Sequence, residues 1–201
     1  MNYILFFSGS YLIGSIPFSW LIAKYCKGLD LRRHGSGNPG ATNVTRTCGV
    51  GLGRTAFALD LAKGMAPVLL ARHFLTHNAA PLIAIGVCAI AGHMWTIFLN
   101  FKGGKGVATS AGVFFGLLPL PTTLALALFA VIFLIWRMIS LASILAALSL
   151  PVIALLTRQS AAFTVFGALI AIFIVIKHIP NIKRIIAGTE QKWITEQGNS
   201  K

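Results

Sequence analysis

Two short segments of the chain combine glycines with hydroxyls, amides and cations. The first runs Gly35-Ser-Gly-Asn-Pro-Gly-Ala-Thr-Asn-Val-Thr-Arg46, and the second runs Lys102-Gly-Gly-Lys-Gly106. Glycine lets the backbone bend so that successive N–H groups face one anion, and Arg46 or Lys105 would supply the countercharge. Both segments therefore favour phosphate as a ligand.

The first segment formally matches the G-x-G-x-x-G pattern of dinucleotide-binding folds, and Asp60 follows twenty residues after Gly40. That motif requires a preceding strand and an alternating α/β pattern, whereas an apolar run follows here. A flexible connector would need only small polar residues. The segment instead brings together hydroxyls, amides and a cation, which favours an anion site: Ser36, Asn38, Thr42, Asn43, Thr45 and Arg46.

The second segment is not a Walker A loop, because Gly106 rather than Ser or Thr follows Lys105. Its glycines precede a predicted helix, and the N-terminal amides of a helix attract anions. A cytoplasmic anchor of positive charge would explain the lysines but not the three glycines around Lys105. The pattern therefore favours Lys105 as a functional cation.

The elements that must position these segments are apolar. Of the 201 residues, 56% are hydrophobic and 10% are charged, against roughly 25% charged in a soluble domain. The mean hydropathy is +0.81. This composition predicts one integral membrane domain over residues 1–201. The net charge of +13 could indicate nucleic acid. Its cations lie at the ends of apolar runs, which fits membrane topology and anionic lipid instead.

A helix needs about 20 apolar residues to cross the hydrocarbon core of a bilayer. The sequence predicts an all-α, polytopic bundle of seven transmembrane helices at residues 3–23, 54–71, 79–99, 107–118, 122–136, 141–157 and 161–179. The fourth is a short half-span, separated from the fifth by Pro119 and Pro121, because proline ends a helix.

Loop charges predict the orientation of this bundle. One side of the predicted membrane receives thirteen of the seventeen Lys and Arg residues, and the other receives Arg72 and Arg158. Since cytoplasmic loops are rich in cations, the N-terminus is expected outside and the C-terminus inside. Both glycine segments then face the cytoplasm.

Some ionisable residues fall inside or near the predicted spans. Asp60 and Lys63 are three apart, and costly charges within a span are usually paired, so they predict a structural ion pair. His93 is expected to be a hydrogen-bonded structural residue. One helical turn would align His178 with Asn181, and structural and functional roles for His178 are equally supported.

The catalytic motifs that the sequence lacks also limit the chemistry that it can perform. The His-x-x-x-x-Asp pattern, which is frequent in membrane glycerolipid acyltransferases that use coenzyme A or acyl carrier protein, matches at none of the five histidines. Neither Gly-x-Ser-x-Gly nor a metal-binding set of His, Cys and carboxylate is present. The sequence favours a mixed anhydride that brings a phosphate leaving group, because cations and amides alone can stabilise its developing charge. A substrate oxygen could then take the proton that a protein base would otherwise remove.

Taken in order, these motifs resemble a known family. They are the two glycine segments, Asp60-x-x-Lys-Gly64, Gly92-His93, Ser140-Leu-Ala-Ser143 and Lys177-His178-x-x-Asn181-Ile-x-Arg184. The chain resembles, as far as about Trp193, the acyl-phosphate-dependent glycerol-3-phosphate acyltransferases of the bacterial cytoplasmic membrane.

The resemblance implies transfer of a fatty acyl group from acyl phosphate to the 1-hydroxyl of glycerol 3-phosphate, which gives lysophosphatidic acid and inorganic phosphate and begins phospholipid synthesis. It implies a multi-pass protein of the inner membrane with a cytoplasmic active site and no cofactor. The expected partners are the two substrates, membrane lipid and, functionally, a soluble enzyme that makes acyl phosphate, with no nucleic acid.

The resemblance also implies site residues. The expected catalytic residues are Ser36, Arg46 and Lys105. The expected substrate-binding residues are Gly37, Asn38, Gly40, Thr42, Asn43, Gly103, Gly104, Ser140, His178 and Asn181. The proton goes to a substrate phosphate or to His178. The chain departs from the family pattern at Asn100, where glycine is common, and at Ile179 and Pro180, where charged residues are frequent.

Two other functions fit a cationic membrane protein. An organic-anion transporter would show inverted repeats and a site near the midplane, but the sequence has no visible repeat. A non-catalytic scaffold would not explain the order of side chains in residues 35–46.

Overall fold

The computed structural model of this chain describes residues 2–193, and that stretch is helical, without a β-strand. The helices are α1 (Tyr3–Ser15), α2 (Phe18–Lys27), α3 (Ala41–Cys48), α4 (Val50–Phe74), α5 (Ala79–Met94), α6 (Val107–Leu117), α7 (Pro119–Trp136), α8 (Ile139–Leu156), α9 (Ala161–Lys177) and α10 (Ile179–Ile186). They form two compact units, of which the first ends at Leu120 and the second begins at Pro121. The single domain expected over residues 1–201 stays a prediction.

The first predicted span is broken within the first unit. Pro17 lacks a backbone N–H, and α1 and α2 are separate helices on either side of it. The carbonyl groups at the break find side-chain partners. The Thr96 hydroxyl donates to the Ser15 carbonyl at 2.6 Å, and the Lys63 ammonium donates to the Ile16 carbonyl at 2.6 Å. These bonds compensate for the helical bonds that the break removes.

The first glycine segment is a loop only as far as Gly40, because Ala41–Cys48 forms α3. The sequence did not predict this short helix, whose eight residues include Asn43 and Arg46. Gly49 separates α3 from α4 with a φ of 98°. The candidate side chains of this segment are therefore divided between a loop and the helix that follows it.

Helices α4 and α6 approach each other closely in the first unit. A β-carbon on Gly64 of α4 would collide with the carbonyl oxygen of Thr109, and one on Gly112 of α6 would collide with that of Leu61. The predicted half-span is confirmed as a helix of only 11 residues that ends at Leu117, just before Pro119. Because α6 packs closely against α4, it fixes the position of the second glycine segment, which immediately precedes α6.

Helix α7 begins at Pro119, at the end of the first unit, and continues into the second; proline is tolerated there because a first-turn N–H has no partner within the helix. Helices α9 and α10 are bent by 61° at His178. The chain then returns to the start of α8, since the Trp193 N–H donates to the Arg137 carbonyl at 2.7 Å.

Within residues 2–193, four stretches are long and apolar enough to span a membrane: Tyr3–Lys27, Ala79–Leu99, Pro119–Trp136 and Ile139–Leu156. The bent pair of α9 and α10 would be a fifth. Helix α4 has 25 residues but carries Arg54, Asp60, Lys63 and Arg72. Any 18 consecutive residues of this helix include three of these charged side chains, so α4 is not among the apolar stretches. The all-helical membrane architecture is thus confirmed, while the count of seven spans stays a prediction.

Candidate active site

Asn43 holds the first glycine segment against α3. Its Oδ1 accepts the Ser36 N–H at 2.9 Å, and its Nδ2 donates to the carbonyls of Leu31 at 3.1 Å and His34 at 2.9 Å. Both N–H bonds of the amide are used, and the residue is 1% exposed. Gly35 is required beside it, because a β-carbon there would collide with Oδ1. Asn43 therefore shapes the loop from inside.

An ion pair fixes the entry to this loop. Arg32 contacts Asp30 through Nε at 3.0 Å and through its terminal nitrogen at 2.7 Å, and Trp20 Nε1 donates to the same carboxylate at 3.0 Å. The hydrogen bonds from Arg32, together with that from Trp20, hold the pKa of Asp30 well below its usual value. Arg32 thus stabilises the loop through its ion pair with Asp30.

The remaining candidates of the first segment lie just before α3 and within it, with Arg46 in the last turn of the helix. Ser36, Gly37 and Arg46 are exposed, whereas Asn38 and Thr42 are half-buried. Gly40 precedes the helix as its N-cap. The first N–H groups of a helix lack intrahelical partners and attract anions. Ser36 and Asn38 thus come shortly before the N-terminus of α3 in the chain, and Thr42 lies in its first turn.

The second glycine segment lies against the end of α5. The Gly103 N–H donates to the Met94 carbonyl, and the Gly104 N–H donates to the His93 carbonyl, both at 3.2 Å. A β-carbon on either glycine would collide with α5. Gly106 then starts α6 with a φ of 85°. Each of the three glycines is needed for the path of the chain, and Lys105 is half-buried among them.

A buried polar cluster lies beside this segment. Lys63 Nζ is 2.8 Å from Asp60 Oδ1, and each side chain is 2% exposed. The Ser19 hydroxyl donates to Asp60 Oδ2 at 2.8 Å, and His93 Nδ1 is 3.8 Å from Asp60 Oδ1. The predicted structural pair of Asp60 and Lys63 is confirmed, and it includes the predicted structural histidine as a neighbour.

A second polar cluster lies within the C-terminal unit. Ser140 Oγ and Asn181 Nδ2 both donate to Glu190 Oε1 at 2.7 Å, and Arg184 Nε donates to Oε2 at 2.7 Å. His178 Nδ1 lies 2.7 Å from the Ile174 carbonyl oxygen. Since a carbonyl only accepts, Nδ1 carries a proton, and a neutral ring leaves Nε2 unprotonated. The three predicted residues Ser140, His178 and Asn181 are all buried.

The sequence reasoning did not identify Glu190, one of the four acids of the chain, as a site residue. Burial raises its pKa, but the hydrogen bonds from Ser140, Asn181 and Arg184 outweigh burial, so that the pKa is lowered overall. The sequence signal that could have identified Glu190 is the small number of acids, four against seventeen Lys and Arg residues. A carboxylate that is buried needs a specific partner. Arg184, six residues earlier, is that partner.

Every acid within residues 2–193 is paired with a cation: Asp30 with Arg32, Asp60 with Lys63, and Glu190 with Arg184. Each carboxylate thus has a cationic nitrogen within 2.8 Å. Such a paired carboxylate is a poor general base, because taking up a proton would break the ion pair.

Comparisons with known proteins cover nearly the whole chain. A family model described as "Glycerol-3-phosphate acyltransferase" matches residues 4–188. A glycerol-3-phosphate acyltransferase of Geotalea daltonii is 46% identical over 93% of this chain and 95% of its own length. One from Desulforamulus reducens is 44% identical over 94% of each chain.

Two solved structures have the same fold. Both are crystal structures of PlsY (YgiH), an integral membrane glycerol 3-phosphate acyltransferase. The glycerol 3-phosphate form is 39% identical with a TM-score of 0.90. The lysophosphatidic acid form is 36% identical with a TM-score of 0.87. Each comparison covers 96% of both chains.

Proposed function

Because the chain belongs to the glycerol-3-phosphate acyltransferase family, we propose that its acyl donor is an acyl phosphate. The enzyme transfers the fatty acyl group to the 1-hydroxyl of glycerol 3-phosphate. The hydroxyl oxygen forms a bond to the acyl carbonyl carbon, and the bond between that carbon and the phosphate oxygen breaks. The products are lysophosphatidic acid and inorganic phosphate.

The observation that carries this proposal is the pairing of all the described acids. With Asp30, Asp60 and Glu190 each held by a cation, no carboxylate within residues 2–193 is suited to activate the hydroxyl. A phosphate leaving group compensates, because it departs without a protonating acid and its oxygens can accept the hydroxyl proton. Cations and backbone amides are then sufficient to stabilise the charge that develops.

The N-terminal unit supplies those groups. Ser36, Gly37, Asn38, Gly40 and Thr42 bind the phosphate of the acyl donor around the start of α3, while Asn43 fixes the loop. Arg46 and Lys105 neutralise phosphate charge, and the path of Gly103 and Gly104 along α5 directs Lys105. These assignments rest on the exposed Ser36 and Arg46 and on the helix N-terminus between them.

The C-terminal cluster is assigned to glycerol 3-phosphate. The Ser140 proton points to Glu190, so its oxygen offers lone pairs to a glycerol hydroxyl. Asn181 is held by the same carboxylate. With its Nδ1 proton donated to the Ile174 carbonyl, a neutral His178 ring would accept a proton on Nε2, which makes it the alternative to a substrate phosphate as base.

We also propose seven membrane spans, with α4 as a charged span and α6 as a short one. The N-terminus is outside, the C-terminus is cytoplasmic, and the active site faces the cytoplasm of the inner membrane. The thirteen cations on one side of the predicted bundle support this orientation. A soluble enzyme that makes acyl phosphate would then deliver it from the cytoplasm.

The experiment uses purified protein in detergent with acyl phosphate and glycerol 3-phosphate, and measures lysophosphatidic acid and released phosphate. Equal amounts of both are expected, with no product from acyl-coenzyme A or acyl carrier protein. Arg46→Ala and Lys105→Ala should each lower kcat/KM by about 10²-fold, the effect of losing one charge-stabilising donor. Lys24→Ala is the matched control. Product from acyl-coenzyme A, or full activity in Lys105→Ala, would refute the proposal.

A further inference from the structure

His93 lies directly beneath the second glycine segment, at the C-terminal end of α5. Its carbonyl accepts the Gly104 N–H at 3.2 Å. Its ring also contacts Gly104, because a β-carbon built on that glycine would fall on His93 Nε2. The side chain is 7% exposed. The imidazole therefore limits how closely the backbone just before Lys105 can approach α5.

The opposite side of the ring faces the buried charges of α4. His93 Nδ1 is 3.8 Å from Asp60 Oδ1, and that carboxylate is itself fixed by Lys63 and by the Ser19 hydroxyl. Lys63 is anchored in turn by the Ile16 carbonyl at the break between α1 and α2. The ring is thus located by a chain of contacts through three helices, none of which belongs to the glycine segments.

We propose that His93 is a positioning residue for Lys105. It acts through Gly104. The imidazole sets the distance between the Gly104 backbone and α5, and this distance determines the direction in which the Lys105 side chain leaves the backbone. The Asp60–Lys63 pair and Ser19 keep the ring in place. The inference rests on the proposed function, in which the Lys105 ammonium binds a substrate phosphate.

A double-mutant cycle between His93→Ala and Lys105→Ala tests this role. Misplacing a binding group by about 1 Å can cost about 10²-fold in rate, so His93→Ala should lower kcat/KM by about 10- to 100-fold. In the Lys105→Ala background the same change should cost less than about 3-fold, because the group that His93 positions is gone. His77→Ala, a change in an exposed loop histidine, is the control.

The possible outcomes separate the inference from the proposed function. Equal losses from His93→Ala in both backgrounds would show that the histidine acts independently of Lys105, which overturns the inference and leaves the function intact. Full activity in Lys105→Ala alone would overturn both. A general loss of folding is additive with Lys105→Ala, so the cycle distinguishes it from positioning.

A second test of the contact between Gly104 and the His93 ring enlarges one side chain and removes the other. Gly104→Ala collides with the His93 ring, and removing that ring in Gly104→Ala/His93→Ala should recover at least about 10-fold in kcat/KM over Gly104→Ala. Gly103→Ala collides instead with the main chain of His93 and Met94. His93→Ala should therefore not rescue it. Rescue of both glycine variants, or of neither, would contradict contact between the ring and Gly104 as the determinant.

Discussion

Glu190 should determine whether the C-terminal unit folds stably. It is 7% exposed and accepts hydrogen bonds from Ser140 and Asn181 on Oε1 and from Arg184 on Oε2. Glu190→Ala leaves the Ser140 hydroxyl and the Asn181 amide buried without this acceptor. Each such group costs about 1–3 kcal/mol, so the expected loss of unfolding free energy is about 2–6 kcal/mol.

Glu190→Gln separates the charge from the hydrogen bonds. Its Oε1 can still accept from Ser140 and Asn181, but its amide faces the Arg184 nitrogen. The Arg184 side chain is 41% exposed and can turn toward water, so the expected loss is smaller, about 1–3 kcal/mol. Thermal unfolding in detergent measures both, with Gln191→Ala as the exposed neighbouring control. Equal and small effects of Glu190→Ala and Glu190→Gln would refute this account.

The pH dependence follows from the lowered pKa of Glu190. A carboxyl whose pKa is lower in the folded state stabilises the protein fully above its unfolded value, ordinarily 4.5, and loses that contribution as the pH falls through the folded value. The difference in unfolding temperature between wild type and Glu190→Gln should therefore be constant near neutral pH and shrink below about pH 4.5. A difference that persists unchanged at low pH would exclude the charge as its cause.

Three further predictions concern the loops, the proton and the orientation. Asn100 has a φ of 52°, so Asn100→Gly should raise the unfolding free energy by a few tenths of a kcal/mol to about 1 kcal/mol in thermal unfolding, while loss of stability would contradict a strain effect. If a substrate phosphate takes the proton, His178→Ala should lower kcat/KM and retain both limbs of the pH–rate profile; loss of one limb would identify His178 as the base. An impermeant maleimide should label Asn78→Cys, made in a Cys26→Ser background, in intact cells but should label native Cys26 only after the cells are opened. The reverse pattern would overturn the orientation.

The sequence predicted the helices well where hydrophobicity and proline act locally. The short α6 and its boundary before Pro119 follow from composition alone. The break at Pro17 was not predicted, because it depends on carbonyl acceptors being satisfied by Lys63 and Thr96, which come 47 and 81 residues later than their partners. Long-range bonds of this kind leave no periodic signal in the chain.

The candidate site shows the same division. Residue types predicted which segments suit phosphate, but not that Asn43 is buried with both amide N–H bonds used inside the loop. Nor did they predict Glu190, whose role depends on the chain returning to Ser140 after α10. A resemblance to a family can nominate Ser140 and Asn181 as polar site residues, whereas only the fold identifies the carboxylate that orients them.

The scarcity of acids has a direct electrostatic consequence for the proposed chemistry. Both proposed substrates carry phosphate, and an unpaired carboxylate near either site would repel them across a low-dielectric membrane boundary. The three described acids avoid this because each is matched by Arg32, Lys63 or Arg184. Such an arrangement lacks a strong protein base, and it suits an acyl donor whose phosphate leaving group can itself accept the hydroxyl proton. The distribution of carboxylates thus favours acyl phosphate on grounds that are independent of the glycine segments.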